Sequence, residues 1–270
     1  MSDRPIIALL TDFGTADWFV GSMKGVILAR APECAIVDLC HSIEPGEVAQ
    51  AAWLLERTFR DFPPATVFCA VVDPGVGSER RAIAAAADDY FFVAPDNGLL
   101  SGVWRGAQSW QCRAITNKRW MRPSVSQTFH GRDIFAPAAA QIARERRIEN
   151  AGDCVADPVE IELPSTAVAP DGSVEGTIVY FDRFGNAITS IAREKVETVE
   201  PGKMWQAEVG RLTVERLSST YADVAPGEPV AYWGSLATLE IAVRGRNARE
   251  RLALRLGERV WLRQRQRNDE

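Results

Sequence analysis

Short apolar runs alternate with amphipathic stretches along the first half of the chain. Continuous apolar runs predict buried strands, whereas apolar residues spaced i, i+3, i+4 and i+7 predict helices that pack along one face. The predicted strands cover residues 6–10, 35–39, 67–72, 82–86 and 90–94, and the predicted helices cover residues 21–30, 47–57 and 133–144. This alternation predicts an α/β domain with a mostly parallel sheet and flanking helices.

The pattern changes after Cys154. Residues 156–172 are rich in proline and acidic residues and lack helical periodicity, which is typical of a linker. The remaining chain consists of short alternating runs with glycine-containing turns, at residues 174–181, 187–191, 204–209, 212–217, 229–232, 239–243 and 260–263. We therefore expect an α/β domain over residues 1–155 and a smaller all-β, barrel-like domain over residues 173–270.

Charge and hydropathy narrow the range of partners. The 270 residues carry a net charge of −5, which disfavours a surface for nucleic acid or anionic membrane. No apolar run reaches the roughly 18 residues of a membrane span, and the acids Asp3 and Asp12 make the amino terminus unlike a signal peptide. These features predict a cytoplasmic protein that binds neither nucleic acid nor membrane.

The cysteines and histidines indicate a protein without a metal site. The five cysteines lack C-x-x-C spacing, which favours reduced thiols over a disulfide framework or a zinc site. His41 and His130 are the only two histidines, too few for a histidine-rich metal centre. We therefore expect no metal and no cofactor.

Acidic side chains follow three of the predicted strands. Asp12 follows the first strand, Asp73 the third and Asp96 the fifth. The carboxyl ends of parallel strands meet at one edge of a sheet, so these carboxylates are candidates for a shared cleft that binds a polyhydroxylated or cationic ligand. A turn-forming role for each acid is the alternative.

The segment VVDPGVGSERR, residues 71–81, combines several features of a ligand-binding loop. Asp73 ends a predicted buried strand, and Gly75 and Gly77 would let the backbone approach a ligand closely. Arg80 could fold back across the same loop. A tight turn with solvated arginines is the alternative interpretation.

His130 lies in the segment TFHGRD, where Asp133 is a plausible N-cap of the predicted helix. An aromatic residue before the histidine and a glycine after it favour a shaped pocket wall. A purely structural role is the alternative for His130, and it is the preferred interpretation for His41.

Polar turns also punctuate the second domain. The loop FDRFGN brings Asp182, Phe184 and Asn186 together, and an asparagine amide can bind an adenine edge through paired hydrogen bonds. Two further turns, Trp233-Gly234-Ser235 and Arg246-Asn247-Ala248, flank a predicted strand. From the residues alone, turn formation is the preferred role of all three segments.

Taken together, six segments resemble the S-adenosylmethionine hydroxide adenosyltransferases, adenosine-forming hydrolases related to the fluorinase and chlorinase enzymes. The segments are TDFGTAD (11–17), Lys24-Gly25, VVDPGVGSERR (71–81), TFHGRDIFAP (128–137), FDRFGNAIT (181–189) and GSLATLEIAVRGRNA (234–248). The resemblance spans nearly the whole chain. It implies a larger α/β domain joined to a smaller β-barrel, a homotrimer, and S-adenosylmethionine bound between one subunit's first domain and its neighbour's second.

The resemblance also implies roles for individual residues. Asp73, Arg80 and His130 match the water-activating triad of the hydrolases, which the halogenating relatives lack. The positions that match substrate-binding residues are Asp12 for the ribose hydroxyls, Asp17, Asp182 and Ser235 for the methionine ammonium and carboxylate, Phe184 and Asn186 for adenine, and Arg246 and Ala248 for backbone contacts. Leu236 stands where a fluorinase would have an arginine.

The resemblance implies hydrolysis of S-adenosylmethionine to adenosine and L-methionine by in-line attack of activated water on the ribose C5′. A halide-dependent adenosyltransferase on the same scaffold is an alternative, disfavoured by the triad. A sensor that binds S-adenosylmethionine or adenosine without turnover is a second alternative. A phosphate-binding loop at Gly75 and Gly77 would lack the lysine and the serine or threonine of a P-loop.

Overall fold

The computed structural model describes residues 4–199 and 204–264. The chain divides into two compact units, Met1–Leu163 and Pro164–Glu270, here called the N-terminal and C-terminal units. Residues 1–3, 200–203 and 265–270 lie outside the described part of the chain.

A six-stranded sheet forms the centre of the N-terminal unit. Its strands are β1 (Ile6–Thr11), β2 (Ala35–Cys40), β3 (Val67–Val71), β4 (Ala82–Ala87), β5 (Tyr90–Pro95) and β6 (Trp110–Ala114), in the order β2-β1-β3-β5-β4-β6. The β2, β1, β3 and β5 strands are parallel, but β4 is antiparallel to both β5 and β6.

The sheet is therefore mixed, and the prediction of a mostly parallel sheet needs correction. The reason is the short connection at Asp88 and Asp89, which joins β4 to β5 with Ala87 opposite Tyr90. Two residues can close an antiparallel hairpin, whereas a parallel pair requires a crossover of a dozen residues or more. The edge strand β6, whose first two residues are exposed, has no clear apolar pattern and was not predicted.

Both faces of the inner strands β1, β3, β4 and β5 are largely buried, as their continuous apolar runs predict, whereas the edge strands β2 and β6 are partly exposed. Four helices cover it: α1 (Phe19–Arg30), α2 (Val48–Thr58), α3 (Ser101–Gly106) and α4 (Ala136–Glu145). The core around α1 and α4 contains Ile7 and Leu9 of β1 together with Met23 and Ile27 of α1. The side chains that alternate with these along the strands lie on the other face of the sheet and form an aromatic cluster. In this cluster Phe68 of β3 stacks on Phe92 of β5, with ring centroids 5.4 Å apart.

The C-terminal unit is built from short strands, as predicted. They are β7 (Ala167–Val168), β8 (Val174–Phe181), β9 (Ala187–Ala192), β10 (Trp205–Val209), β11 (Leu212–Val214), β12 (Leu217–Ser218), β13 (Pro229–Trp233), β14 (Thr238–Val243) and β15 (Arg259–Gln264). The run predicted over residues 212–217 is divided into β11 and β12. Two short helices, α5 (Arg193–Val199) and α6 (Ala248–Arg251), were not predicted.

These strands form one curled sheet in the order β11-β10-β15-β8-β9-β14-β13-β12, with β7 paired to β8. The two ends of the sheet approach each other, because β12 contacts β10 and β11 contacts β13. The unit is therefore nearly closed into a barrel, and its core includes Val174, Ile191, Leu239, Ile241 and Leu262.

The segment predicted as a linker, residues 156–172, is shared between the units. Its first part follows the N-terminal unit, where the Val159 amide donates to Asp96 and the Ile161 amide donates to Ser101. Its last part contributes β7 to the C-terminal unit. No helix in the described ranges is long and apolar enough to cross a membrane.

Candidate active site

Asp73 and Arg80 form a bidentate ion pair at the carboxyl end of β3. Arg80 Nε donates to Asp73 Oδ1 at 2.9 Å, and Arg80 Nη2 donates to Asp73 Oδ2. Both side chains are largely buried, with exposed fractions of 11% for Arg80 and 5% for Asp73. Paired donors from a planar guanidinium fix the orientation of the carboxylate as well as its charge. The fold-back of Arg80 across its own loop, expected from the sequence, is thus present.

His130 is the third member of this cluster. Arg80 Nη2 lies 2.7 Å from His130 Nδ1. A guanidinium group has donors and no acceptors, so Nδ1 accepts this hydrogen bond and the neutral imidazole carries its proton on Nε2. Within the described ranges, no side chain or carbonyl accepts a hydrogen bond from Nε2. The ring therefore offers a donor, not a base, to a molecule that binds beside it.

The surroundings of His130 favour its neutral form. Burial lowers the pKa of His130 below 6.5, the positive charge of Arg80 lowers it further, and Asp73 and Asp133 act in the opposite direction. Both leading effects disfavour imidazolium, because one removes water from the charge and the other places a like charge beside it.

Gly77 brings the Asp73–Arg80 loop against the segment that carries His130. It has a φ of +80°, and a Cβ at this position would lie 2.6 Å from the carbonyl oxygen of Gln127. The close backbone approach predicted for this glycine is therefore toward its own chain. Gly75 differs, since a Cβ there would lie 3.4 Å from Ser78 Oγ, an ordinary contact distance.

His130 precedes a π-helical turn, Gly131–Phe135, that continues into α4. Asp133 lies inside this turn, so its predicted role as an N-cap is wrong. Its buried carboxylate accepts from Arg132 Nε at 2.7 Å and from the Ser126 amide at 2.8 Å. The bond from the Ser126 amide connects the π-helical turn to the loop segment that precedes it. Single π-helical turns are frequent at functional sites.

Aromatic contacts connect the His130 segment to the loop after β1. The ring of Phe129 makes edge-on contacts with Phe13 at 6.1 Å and with Phe19 at 5.2 Å between centroids. Because Phe13 follows Asp12 directly, this cluster holds the Asp12 loop near the segment that carries His130.

Asp12 and Asp73 lie close enough for their charges to interact. Burial raises the pKa of Asp12, and the negative charge of Asp73 raises it further. The Gly46 amide acts in the opposite direction, because it donates a hydrogen bond to Asp12 Oδ2 at 2.9 Å. Asp96, the third acid in the expected cleft, is engaged elsewhere. It accepts from Arg81 Nε at 2.6 Å and from the Val159 amide at 2.8 Å, and so it anchors the following segment.

A hydrogen-bonded network beneath the Asp12 loop was not predicted. Thr11 Oγ1 lies 2.8 Å from His41 Nδ1, His41 Nε2 lies 3.0 Å from Asp38 Oδ1, and Lys24 Nζ donates to Asp38 Oδ2 at 2.6 Å. The structural role preferred for His41 agrees with its burial. Asp17, in contrast, lies in the exposed loop that leads into α1.

In the C-terminal unit, Asp182 organises the loop between β8 and β9. Its Oδ1 accepts from the amides of Phe184 and Asn186 at 2.9 and 2.8 Å, and its Oδ2 accepts from Asn186 Nδ2 at 2.8 Å. This is the turn-forming role that the residue types favour. Because a carboxylate accepts only from the amide nitrogen, Asp182 also fixes which way the Asn186 side chain is turned.

Gly185 places this loop against the turn before α6. Its φ is +83°, and a Cβ would collide with the side chain of Asn247, while the Arg249 amide donates to the Gly185 carbonyl at 2.9 Å. The predicted residues Phe184, Asn186, Arg246 and Ala248 are therefore brought together. Phe184 is 74% exposed, although it is a large aromatic side chain.

A pocket of about 470 Å³ opens at these turns. Its lining residues are Phe184, Asn186, Tyr221, Val243, Gly245 and Arg246. Tyr221 was not predicted, because its segment SSTYADV has neither periodicity nor a recognisable motif. Ser235 lies in the exposed turn between β13 and β14 and is not among the lining residues.

Comparisons with known proteins agree with this arrangement. The model of the SAM hydroxide adenosyltransferase N-terminal domain matches residues 7–152, and that of the C-terminal domain matches residues 176–261. The chain is 40% identical to a (R)-S-adenosyl-L-methionine hydrolase of Thermus thermophilus, covering 96% of this chain and 99% of the relative. It is 36% identical to one of Salinispora tropica, covering 96% and 98%.

More distant relatives carry a different name, and a solved structure has the same fold. A fluorinase of Actinopolyspora mzabensis is 30% identical, covering 90% of this chain and 92% of the relative. The crystal structure of an uncharacterized conserved protein from Thermotoga maritima aligns with a TM-score of 0.88 at 34% identity, covering 95% of this chain and 99% of that one. The chain belongs to the SAM hydroxide adenosyltransferase family.

Proposed function

We propose that this protein is an enzyme that hydrolyses S-adenosyl-L-methionine to adenosine and L-methionine. The observation that carries the proposal is the buried Asp73–Arg80–His130 cluster, in a chain whose relatives at 34–40% identity are named (R)-S-adenosyl-L-methionine hydrolases. Water attacks the ribose C5′ in line with the sulfonium, a C–O bond forms, and the C–S bond breaks. The bond electrons neutralise the sulfonium, so the thioether leaves without a general acid.

The chemical difficulty lies in the water, which has a pKa of about 15.7 in bulk. The protons of the attacking water become strongly acidic as the new C–O bond forms, so a carboxylate can take one of them late in the reaction. We assign this role to Asp73. Each Asp73 oxygen retains a lone pair after binding Arg80. General-base assistance of this kind contributes roughly 10²- to 10⁴-fold in rate.

His130 has a different role in this mechanism. With Nδ1 accepting from Arg80, the Nε2–H donates a hydrogen bond to the attacking oxygen and orients its lone pair toward C5′. Arg80 holds both partners in place. Alignment of the water with the scissile bond can supply about 7 to 11 kcal/mol of barrier reduction. No cofactor takes part in this scheme, and none of the described residues form a group of three or more His, Cys, Asp or Glu that could hold a metal ion.

For substrate binding, we assign Asp12 to the two ribose hydroxyls, because it is a partly buried carboxylate near Asp73 whose Oδ2 accepts from the Gly46 amide. Adenine is assigned to the pocket of the C-terminal unit, with Phe184 and Asn186 beside it. The backbone at Arg246 and Ala248 would add contacts there. Asp17, Asp182 and Ser235 are assigned to methionine through the family resemblance.

The residues assigned to ribose belong to the N-terminal unit, and those assigned to adenine belong to the C-terminal unit. This division supports a proposed homotrimer in which the substrate binds between neighbouring subunits. Multi-angle light scattering on the active enzyme tests this, and a fully active monomer at assay concentration would contradict it. The cytoplasmic location remains a prediction from the sequence.

Fluorinase relatives at 29–30% identity make halide transfer the competing activity. The decisive experiment incubates the purified protein with each sulfonium epimer of S-adenosylmethionine, with and without fluoride or chloride. We expect adenosine and methionine in equal amounts from the (R) epimer, independent of halide. A halogenated nucleoside that requires added halide would favour the competing activity, and binding without any product would favour the sensor.

A further inference from the structure

A buried carboxyl group, Glu240, lies in β14 at the end of a hydrogen-bonded chain that leads to the adenine pocket. Tyr232 in β13 is its cross-strand neighbour and donates to Glu240 Oε2 at 2.5 Å. The hydroxyl groups of Tyr232 and Tyr221 are also 2.5 Å apart. Tyr221 lines the pocket, whereas Glu240 and Tyr232 are 6% and 5% exposed.

The pKa values of Tyr232 and Glu240 determine the direction of the hydrogen bonds in this series of three side chains. Burial raises the pKa of Tyr232, so this hydroxyl keeps its proton and acts as the donor. With its own proton directed to Glu240, the Tyr232 oxygen accepts from Tyr221. Burial raises the pKa of Glu240 as well, opposed by the hydrogen bond from Tyr232.

The two tyrosine rings support the same geometry. Their centroids are 4.6 Å apart in an edge-on arrangement, which is favourable for aromatic pairs. Tyr221 belongs to a short 3-10 turn, Tyr221–Asp223, and is not part of a strand. Its ring position in the pocket wall therefore depends on Tyr232 more than on regular backbone pairing.

Glu240 is an unusual residue for this position. A buried carboxyl group costs stability relative to a packed apolar side chain, even when it is hydrogen-bonded. Its neighbour in sequence, Leu239, and the next residue, Ile241, are ordinary core side chains. The carboxyl also packs against Gly234, where a Cβ would collide with Glu240 Oε1, so the close contact has required a glycine.

We propose that Glu240 is a positioning residue for substrate binding: through Tyr232 it holds the ring of Tyr221 in the pocket wall, where that ring contacts the base of the adenosyl group. The inference rests on the proposed function, which assigns this pocket to adenine. It predicts an effect on affinity that is transmitted only through Tyr221.

Three variants separate positioning from simple structural support. Glu240→Leu and Tyr232→Phe each interrupt the hydrogen bonds that connect Glu240 to Tyr221. We expect KM for S-adenosylmethionine and Kd for adenosine to rise about tenfold, with kcat within twofold of wild type. Glu240→Gln keeps an acceptor for Tyr232 and should restore both constants to within about threefold. Thr238→Val is the matched control, because Thr238 is buried in the same strand and its Oγ1 has no partner in the described structure.

The Tyr221→Ala background gives the sharpest test. If Glu240 acts through the Tyr221 ring, Glu240→Leu should cause no further rise in Kd for adenosine once that ring is absent. An additive effect in this background, or wild-type KM and Kd in folded Glu240→Leu or Tyr232→Phe protein, would overturn the inference. If Glu240→Leu fails to fold by circular dichroism, Tyr232→Phe and Glu240→Gln decide. Wild-type protein that neither binds adenosine nor hydrolyses S-adenosylmethionine would instead overturn the proposed function.

Discussion

Arg80 Nη2 lies 2.7 Å from His130 Nδ1, and this contact determines which imidazole nitrogen carries the proton. Arg80 is also the bidentate partner of Asp73. One guanidinium thus aligns a carboxylate that can accept a proton and an imidazole that can donate a hydrogen bond, two complementary requirements for directing a water molecule.

The first prediction concerns pH. Burial and Arg80 lower the pKa of His130, so the folded protein binds fewer protons at this site than the unfolded chain. The associated stability is present above the unfolded pKa near 6.5 and is lost as pH falls through the folded pKa. Protonation also removes the acceptor for Arg80, so kcat should show an acid limb below pH 6.5. The limb should disappear in the residual activity of His130→Gln, and an unchanged limb would contradict this assignment.

The second prediction concerns the base. Asp73→Asn is nearly isosteric and should lower kcat by roughly 10²- to 10⁴-fold while leaving KM close to wild type, because it removes the proton acceptor and no substrate contact. Steady-state kinetics and adenosine calorimetry on the same folded preparation measure both effects. The double variant Asp73→Asn with His130→Ala should lose far less than the product of the single losses, since both residues act on one water. Near-normal kcat in Asp73→Asn would leave the loop with a structural role only.

The third prediction compares two glycines of one loop. Gly77→Ala introduces a Cβ 2.6 Å from the Gln127 carbonyl at a φ of +80°, so we expect a loss of about 1 to 3 kcal/mol in unfolding free energy. Displacement of Arg80 from His130 should lower kcat as well. Gly75→Ala meets nothing closer than 3.4 Å and is the matched control. Equal thermal stability and kcat in the two variants would refute this account of the loop.

The fourth prediction concerns the ribose. Asp12→Ala removes the carboxylate assigned to two hydroxyl groups, and hydrogen bonds to a charged acceptor contribute about 1.5 to 3 kcal/mol each. KM should therefore rise at least about tenfold. Asp96→Asn is the control, because that acid also follows a parallel strand but binds Arg81, so it should lower thermal stability and leave KM unchanged. A normal KM in Asp12→Ala would move the ribose site elsewhere.

Much of the fold could be predicted because apolar periodicity reports burial directly. The strand and helix patterns of the first half correspond to β1 to β5 and to α1, α2 and α4. The strand direction of β4 could also have been derived, since the two residues between β4 and β5 permit only a hairpin. Half-exposed β6 and the short α6 carry no such signal, because tertiary contacts hold them in place.

The candidate site was predictable only at residues that carry chemistry. Acids, Arg80 and His130 stand out by type, and the turns that carry them are marked by glycine. The contact between Gly77 and Gln127 is invisible in the sequence, since it joins segments that are far apart along the chain. Glu240 was missed for the same reason: a strand-centre acid resembles a solvent-facing position until its cross-strand partner is known. Tyr221 was missed because its turn carries neither periodicity nor a motif.

The central claim is that water attacks C5′ directly, and the origin of the oxygen in the product tests it most directly. The wild-type enzyme is mixed with (R)-S-adenosyl-L-methionine in ¹⁸O-labelled water, and adenosine and methionine are analysed by mass spectrometry. The account predicts adenosine with one ¹⁸O at its 5′ position and unlabelled methionine, formed without halide. Adenosine that lacks the label, or a product that forms only when halide is added, would contradict it.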